Sequence, residues 1–189
     1  MISVACINNI EDRRICMFIR HGEKEQGGFS LTEKGKADIS NFARTLASLS
    51  IPIIVYSSPE SRCAQTASII CNILQNSDKE IHFSTILGKP GIQVKNEKLY
   101  SSLTDTMKCR DIFTSWKKGN FLEEMHSPNY IKSAMEDYFR SISKENSITL
   151  CISQSGTVAC TGYALGLVDY QNTENGWVDY LDGYIYEAR

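Results

Sequence analysis

Four consecutive residues, Arg20-His21-Gly22-Glu23, set side by side a nucleophile, a fixed cation, a permissive backbone position and a carboxylate. A neutral imidazole can attack an electrophilic centre. A guanidinium next to it holds an oxyanion in a planar, forked grip. A glycine lets the backbone come close to whatever the histidine touches. Together these types suit an anion site with a nucleophile inside it, and the best-fitting anion is a phosphoryl group. The segment follows the apolar run Ile15-Cys16-Met17-Phe18-Ile19 and precedes the turn-like Gln26-Gly27-Gly28. A short apolar run bounded by polar residues reads as a buried strand. A histidine where such a strand becomes a loop stands at the usual ligand-binding edge of an open α/β sheet. By itself an Arg-His-Gly triplet is a weak signal, because most histidines near strand ends are structural or exposed; the elements around it carry the weight.

Those elements repeat one pattern. Leu31-Thr32-Glu33-Lys34-Gly35 opens a helical period with Thr32 as N-cap. Ile39, Phe42, Ala43, Leu46 and Leu49 form the buried face, and Ser50 and Pro52 end it. Ile53-Ile54-Val55-Tyr56 is β-branched and apolar, a second buried strand. Ser57-Ser58-Pro59-Glu60-Ser61-Arg62 then turns into a second helix, with Pro59 at its start and Ala64, Ala67, Ile70 and Leu74 on one face. Arg62 falls in its first turn. The stretch from Pro128 to about Ser143 is a further helix, facing inward through Ile131, Met135 and Phe139. Ser147 to Ile152 is a third buried strand, followed by Ser153-Gln154-Ser155-Gly156-Thr157 and a small-residue helix. Repeated strand–loop–helix units predict a three-layer α/β/α fold around a mainly parallel sheet. In that fold His21, Arg62 and Gln154 share one sheet edge. Ile81–Ile86 is expected as a strand, Gly88–Gly91 as a turn region and Tyr180–Ala188 as an edge strand. Val4–Ile7 reads as a short strand or ordered tail, and Glu11–Arg14 as a solvated turn. Residues 76–127 otherwise carry no clear pattern and are expected to set specificity.

Composition narrows the function classes. A chain of 189 residues without repeats or linkers is expected to form a single domain over 1–189. Twenty basic against 22 acidic residues give a formal charge of −2, which argues against nucleic acid or a polybasic membrane contact, so any anion site depends on a few local arginines. The N-terminus has neither the basic start nor the apolar core of a signal peptide, and no run of about 18 apolar residues exists for a membrane span. The seven cysteines, at 6, 16, 63, 71, 109, 151 and 160, include no Cys-x-x-Cys pair. They read as mostly buried thiols in a reducing cytoplasm, with no zinc-ligand spacing. Neither a metal nor a cofactor is expected.

Three blocks resemble the histidine phosphatase superfamily, the phosphoglycerate-mutase-like proteins, in its compact branch. They are Phe18-Ile19-Arg20-His21-Gly22-Glu23-Lys24 with Leu31-Thr32-x-x-Gly35; Tyr56-Ser57-Ser58-Pro59-x-x-Arg62-x-x-Gln65-Thr66-Ala67; and Ile152-Ser153-Gln154-Ser155-Gly156-Thr157-Val158. The resemblance implies that His21 attacks phosphorus and becomes a phosphohistidine, splitting one hard step into two. It implies that Arg20 and Arg62 clamp the phosphoryl oxygens, and that the partner is a small phosphorylated substrate or phosphate ion.

One position departs from the pattern. Where the family carries a second histidine after the third strand, this chain has Gln154. Its amide still donates to a phosphate oxygen but carries no charge. A charge-assisted bond is stronger than a neutral one by about 1–2 kcal/mol, or roughly ten- to thirtyfold in rate. The sequence therefore leaves a slowed or specialised phosphohydrolase beside a phosphate-binding module that has lost turnover, with a phosphoglycerate mutase less favoured. The best candidate for the general acid that such enzymes place in the middle region is Glu97, with Asp105 next; for each, a solvated surface carboxylate is the favoured reading. His82 and His126 fit no block and read as structural or surface. Tyr100, Trp116 and Phe121 read as pocket lining or core, core being favoured.

Overall fold

The computed structural model describes residues 12–74, 80–173 and 175–188. Strand β1, Arg14–Arg20, has all five inner residues buried, as expected of a strand covered on both faces. Its odd residues, Ile15, Met17 and Ile19, pack to one side, and its even residues, Cys16 and Phe18, to the other. Strand β2 is Ile53–Ser57 and β4 is Ser147–Ser153, the latter buried throughout. With β3 at Ile81–Phe83 and β5 at Gly183–Glu187, the sheet order is β3-β2-β4-β1-β5. The first four strands run parallel, with Phe18 opposite Cys151 and Tyr56 opposite the same residue from the other side. Only β5, Gly183–Glu187, is antiparallel, at the edge beside β1.

Helices cover both faces. On one lie α1, Glu33–Ala47, and α2, Ser61–Leu74; on the other lie α4, Cys109–Lys117, α5, Pro128–Ile142, and α6, Ser155–Ala164. The result is the three-layer, mainly parallel architecture expected from the repeated units. Thr32 caps α1 as expected, its hydroxyl accepting from the Gly35 N–H at 2.9 Å. Ile39, Phe42, Ala43 and Leu46 are buried, and Leu49 packs against the same core. Helix α5 buries Ile131, Met135 and Phe139. Phe139 and Tyr184 both meet the Phe18 ring edge-on, at 6.0 and 5.5 Å.

Some boundaries differ from expectation. Helix α2 buries Cys63, Thr66, Ala67, Ile70 and Cys71, so its inner face is turned toward Thr66, which the apolar pattern skips because it is a polar contact. The strand expected over Ile81–Ile86 is only β3, Ile81–Phe83, and a 3-10 turn follows at Thr85–Leu87. Arg14 belongs to β1 rather than to a turn; Arg13 pairs with Glu187 and Arg14 with Glu145. The Val4–Ile7 and Glu11 readings lie outside the described residues. The region without pattern holds α3, Glu97–Thr106, and α4. Among the described residues no helix is long and apolar enough to cross a membrane.

The Thr32-x-x-Gly35 spacing has a steric cause. A Cβ on Gly35 would lie 2.3 Å from the Glu23 carbonyl oxygen, so only glycine lets α1 press against the loop that follows β1. Glycine normally weakens a helix interior relative to alanine by about 1 kcal/mol. Gly35→Ala is nevertheless expected to destabilise, because overpacking against backbone costs about 1–3 kcal/mol. Urea unfolding measures this, and a variant more stable than the parent contradicts the contact.

Candidate active site

Three parallel strands end side by side, and their carboxyl ends build the site. Beyond β1, the His21 N–H donates to Ser153 O at the end of β4, at 3.0 Å. Beyond β2, the Ser58 N–H donates to Ile152 O at 2.9 Å. Strand β4 thus stands in the middle with His21 on one side and Ser58 on the other. Gln154 follows β4 directly as N-cap residue of α6. Arg62 enters from the first turn of α2.

His21 is 3% exposed. Its Nδ1 lies 2.7 Å from the Gly22 carbonyl oxygen. A carbonyl only accepts, so Nδ1 carries the proton and Nε2 holds a free lone pair. Burial, reinforced by the charges of Arg20, Arg62 and Lys24, brings the imidazole pKa down to about 3, against the raising effect of the Gly22 bond. The ring is therefore neutral and nucleophilic at any ordinary pH. Its backbone is braced from α2: the Gly22 N–H donates to Thr66 Oγ1 at 3.1 Å, and that hydroxyl donates to Arg62 O at 2.7 Å. One threonine therefore links the nucleophile loop to the Arg62 turn.

Arg20 is half-buried. It donates to Val178 O at 2.7 Å and lies over the Tyr180 ring at 3.9 Å. Arg62 faces Glu60 at 3.5 Å and is otherwise largely enclosed. On each arginine the Nε–H is buried and has no protein partner. Buried donors without acceptors are costly, and two on cations flanking a neutral histidine suit a bound oxyanion. The Gln154 amide lies beside Gly88 and Ser58: a Cβ on Gly88 would be 2.7 Å from Ser58 Oγ and 3.3 Å from Gln154 Nε2. At φ 149° Gly88 also occupies backbone space that other residues rarely adopt.

Residues 16–105 match the family model of the histidine phosphatase superfamily, branch 1. The same fold recurs in solved structures. A phosphoglycerate mutase from Bacillus anthracis str. Sterne is 12% identical over 94% of this chain and 88% of its own, with a TM-score of 0.56. A mycobacterial glucosyl-3-phosphoglycerate phosphatase is 15% identical over 80% of this chain and 79% of its own, at 0.53. At these identities the likeness is one of fold. Comparison with curated proteins gives no match.

Within the matched residues, His21, Arg20 and Arg62 come together, each arginine acting on the imidazole through its charge. Gln154, beyond the matched residues, follows β4 at the same sheet edge, its Nε2 beside Gly88. Glu97 does not join them: it is exposed in the first turn of α3, and no described ion pair or hydrogen bond engages its carboxylate. Asp105 is exposed as well. Glu23 is bonded to Lys34 at 2.8 Å, which ties the loop to α1. His82 stacks on Tyr56 and His126 on Tyr130, with ring centroids 4.7 and 3.9 Å apart. Trp116 is buried core, while Tyr100 and Phe121 are partly buried at the same core. Among the described residues no cluster of His, Cys, Asp or Glu is suited to hold a metal.

Three neighbouring residues went unread in the sequence. Tyr180, expected to open an edge strand, is a loop residue beneath Arg20. Cys109, the first residue of α4, lies within the electrostatic influence of both arginines. Gln93 is 3% exposed beside the first turn of α6. Each sits in a segment without periodicity, where only the fold brings it near the strand ends.

His21 binds a proton in the unfolded chain near pH 6.5 but, when folded, only near 3. Between those values the unfolded state holds more protons, so stability from this group is complete above pH 6.5 and falls as pH drops toward 3. NMR of the His21 ring is expected to show the neutral Nδ1–H form unchanged from pH 8 to pH 5. A midpoint near 6.5 contradicts the buried, cation-flanked setting.

Proposed function

We propose that the chain is a phosphohydrolase in which His21 takes the phosphoryl group from a small phosphoester or phosphohistidine and passes it to water. The observation that carries this reading is the neutral, Nε2-free imidazole of His21 enclosed between Arg20 and Arg62, each with an unpartnered buried N–H. In the first step the Nε2 lone pair forms the N–P bond while the bond from phosphorus to the leaving group breaks. The guanidinium groups balance the charge on the equatorial oxygens. In the second step water attacks the phosphohistidine, releasing inorganic phosphate and restoring the lone pair. The mycobacterial phosphatase of similar fold has been solved in complex with inorganic phosphate, over 80% of this chain at a TM-score of 0.51, which supports a phosphate-sized ligand at such a site.

Gln154 completes the clamp as a neutral donor. Its N-cap position aims the α6 N-terminus, with its partial positive charge, toward the same ligand. A second reading, a phosphate-binding module without turnover, rests on this uncharged residue and on the exposure of Glu97. Substrate specificity is assigned to the region 76–127. The proposed setting is the cytoplasm, which five buried free thiols suit.

Phosphate release from a panel of phosphomonoesters, together with trapping of a ³²P-labelled enzyme, tests the two readings. His21→Ala is expected to lose more than about a thousandfold in kcat and all label. Gln154→His is expected to gain roughly tenfold, the worth of one charge-assisted bond. If the parent and Gln154→His both bind phosphate but neither releases it nor takes up label, the binding-module reading replaces this one.

A further inference from the structure

Arg20 is seated by a single turn, residues 178–182, on the way from α6 to β5. Its Nη1 donates to Val178 O at 2.7 Å. Its backbone N–H donates to Asp182 O at 2.8 Å, and its carbonyl accepts from the Leu181 N–H at 3.2 Å. The turn is closed by the Asp182 N–H, which donates to Asp179 O at 3.2 Å, and Asn175 Nδ2 donates to the Asp179 carboxylate. Val178 and Leu181 anchor it in the apolar cores on opposite faces of the sheet, and both are buried. Leu181 holds φ 57°. A branched side chain rarely adopts that left-handed backbone, which persists only where the surroundings impose it.

Tyr180 lies between these two anchors, half-buried. Its ring receives the Arg20 guanidinium carbon at 3.9 Å from the centroid. The same ring stands 5.8 Å from the His21 ring, centroid to centroid, tilted by 52°. One side chain therefore neighbours both the nucleophile and the cation beside it. Both are contacts of the aromatic ring, not bonds of its hydroxyl.

The physical need for such a ring follows from the shape of the guanidinium. Its grip on an oxyanion is planar and forked, so the angle of the plane decides where the oxygens sit. A guanidinium bonded through Nη1 alone still pivots about that bond. A ring against its face stops the pivot. The Nε–H, buried and without a protein partner, is then held in one direction.

We infer that Tyr180 is a positioning residue for phosphoryl transfer: it fixes the plane of the Arg20 guanidinium beside the His21 ring, and so sets where the phosphoryl oxygens lie relative to Nε2. This inference deepens the phosphohydrolase reading and rests on it. Tyr180 acts through Arg20, and Arg62 still holds the ground-state phosphate when the plane is lost. The loss therefore falls on kcat, because a misplacement of about 1 Å costs on the order of 10²-fold in an aligned reaction.

The test measures kcat and KM for 4-nitrophenyl phosphate in the parent, Tyr180→Phe, Tyr180→Leu, Arg20→Lys and the double variant Tyr180→Leu with Arg20→Lys. Thermal melts confirm that each is folded. Tyr180→Phe keeps the ring and is expected to stay within about threefold of the parent. Tyr180→Leu is expected to lose roughly ten- to a hundredfold in kcat, with KM changed less than about threefold. In the Arg20→Lys background the same change is expected to cost less than about threefold, because an ammonium has no plane to fix. Parent-like turnover by Tyr180→Leu overturns the inference. So does a Phe variant as slow as the Leu variant, and so does an equal cost of Tyr180→Leu in both backgrounds. If Tyr180→Leu does not fold, proton NMR of the parent decides: the Arg20 side-chain protons are expected to be shifted upfield by the ring, and unshifted signals overturn the inference. If the parent itself neither releases phosphate nor takes up label at His21, the phosphohydrolase reading fails and takes the inference with it.

Discussion

A histidine that cannot be charged is the constraint on which this site depends. Burial takes water from the His21 ring, and two guanidinium groups and Lys24 make a further positive charge unfavourable there. A phosphoryl group relieves the same tension, because its negative oxygens are what the cations lack. The setting that keeps the ring neutral is thus one that would attract a phosphoryl group. The hydrogen bond from Nδ1 to the Gly22 carbonyl adds direction, leaving Nε2 as the free nitrogen. A histidine in water would share its proton between tautomers and spend part of its time charged.

The sheet supplies the placement. Parallel strands bring three carboxyl ends to one edge, and each is followed at once by a residue of the site: His21 after β1, Ser58 after β2 and Gln154 after β4. Backbone bonds from β4 to the residues after both neighbouring strands hold their spacing to that of a hydrogen-bonded sheet. Threonine 66 does for α2 what those bonds do for the strands, locking the helix that carries Arg62 to the loop that carries His21. Chemistry here rests on elements whose positions are set by packing, and the buried apolar faces of β1, α1 and α2 supply the stiffness.

Much of this was legible because it is local and periodic. Strands such as Ile15–Ile19 and Ser147–Ile152 announce themselves as apolar runs, and Thr32 marks a helix cap; the close approach of Gly35 to the Glu23 carbonyl is seen only in the fold. His21, Arg62 and Gln154 could be placed on one edge because strand–loop–helix repetition dictates it. The residues between β3 and α5 resisted, since short helices, 3-10 turns and a glycine-rich loop carry no sustained period. Gln93 is the clearest case. Nothing in Gly91-Ile92-Gln93-Val94 distinguishes a buried amide from a surface one, and its burial comes from packing against Thr157, 64 positions further along. Glu97 attracted notice because a carboxylate there fits general acid chemistry, yet α3 carries it outward.

The anchoring of Arg20 has a consequence for how the protein comes into being. Its guanidinium is oriented by the Val178 carbonyl and the Tyr180 ring, so two residues emerging from the ribosome roughly 160 positions later decide where the first cation points. Throughout synthesis the nucleophile loop exists without its finished clamp. On the proposed reading, a phosphorylated ligand meeting the nascent chain would find a histidine not yet enclosed, and the site becomes complete only when the segment leading into β5 folds back beside β1. Assembly of the last strand would in that sense also complete the proposed site.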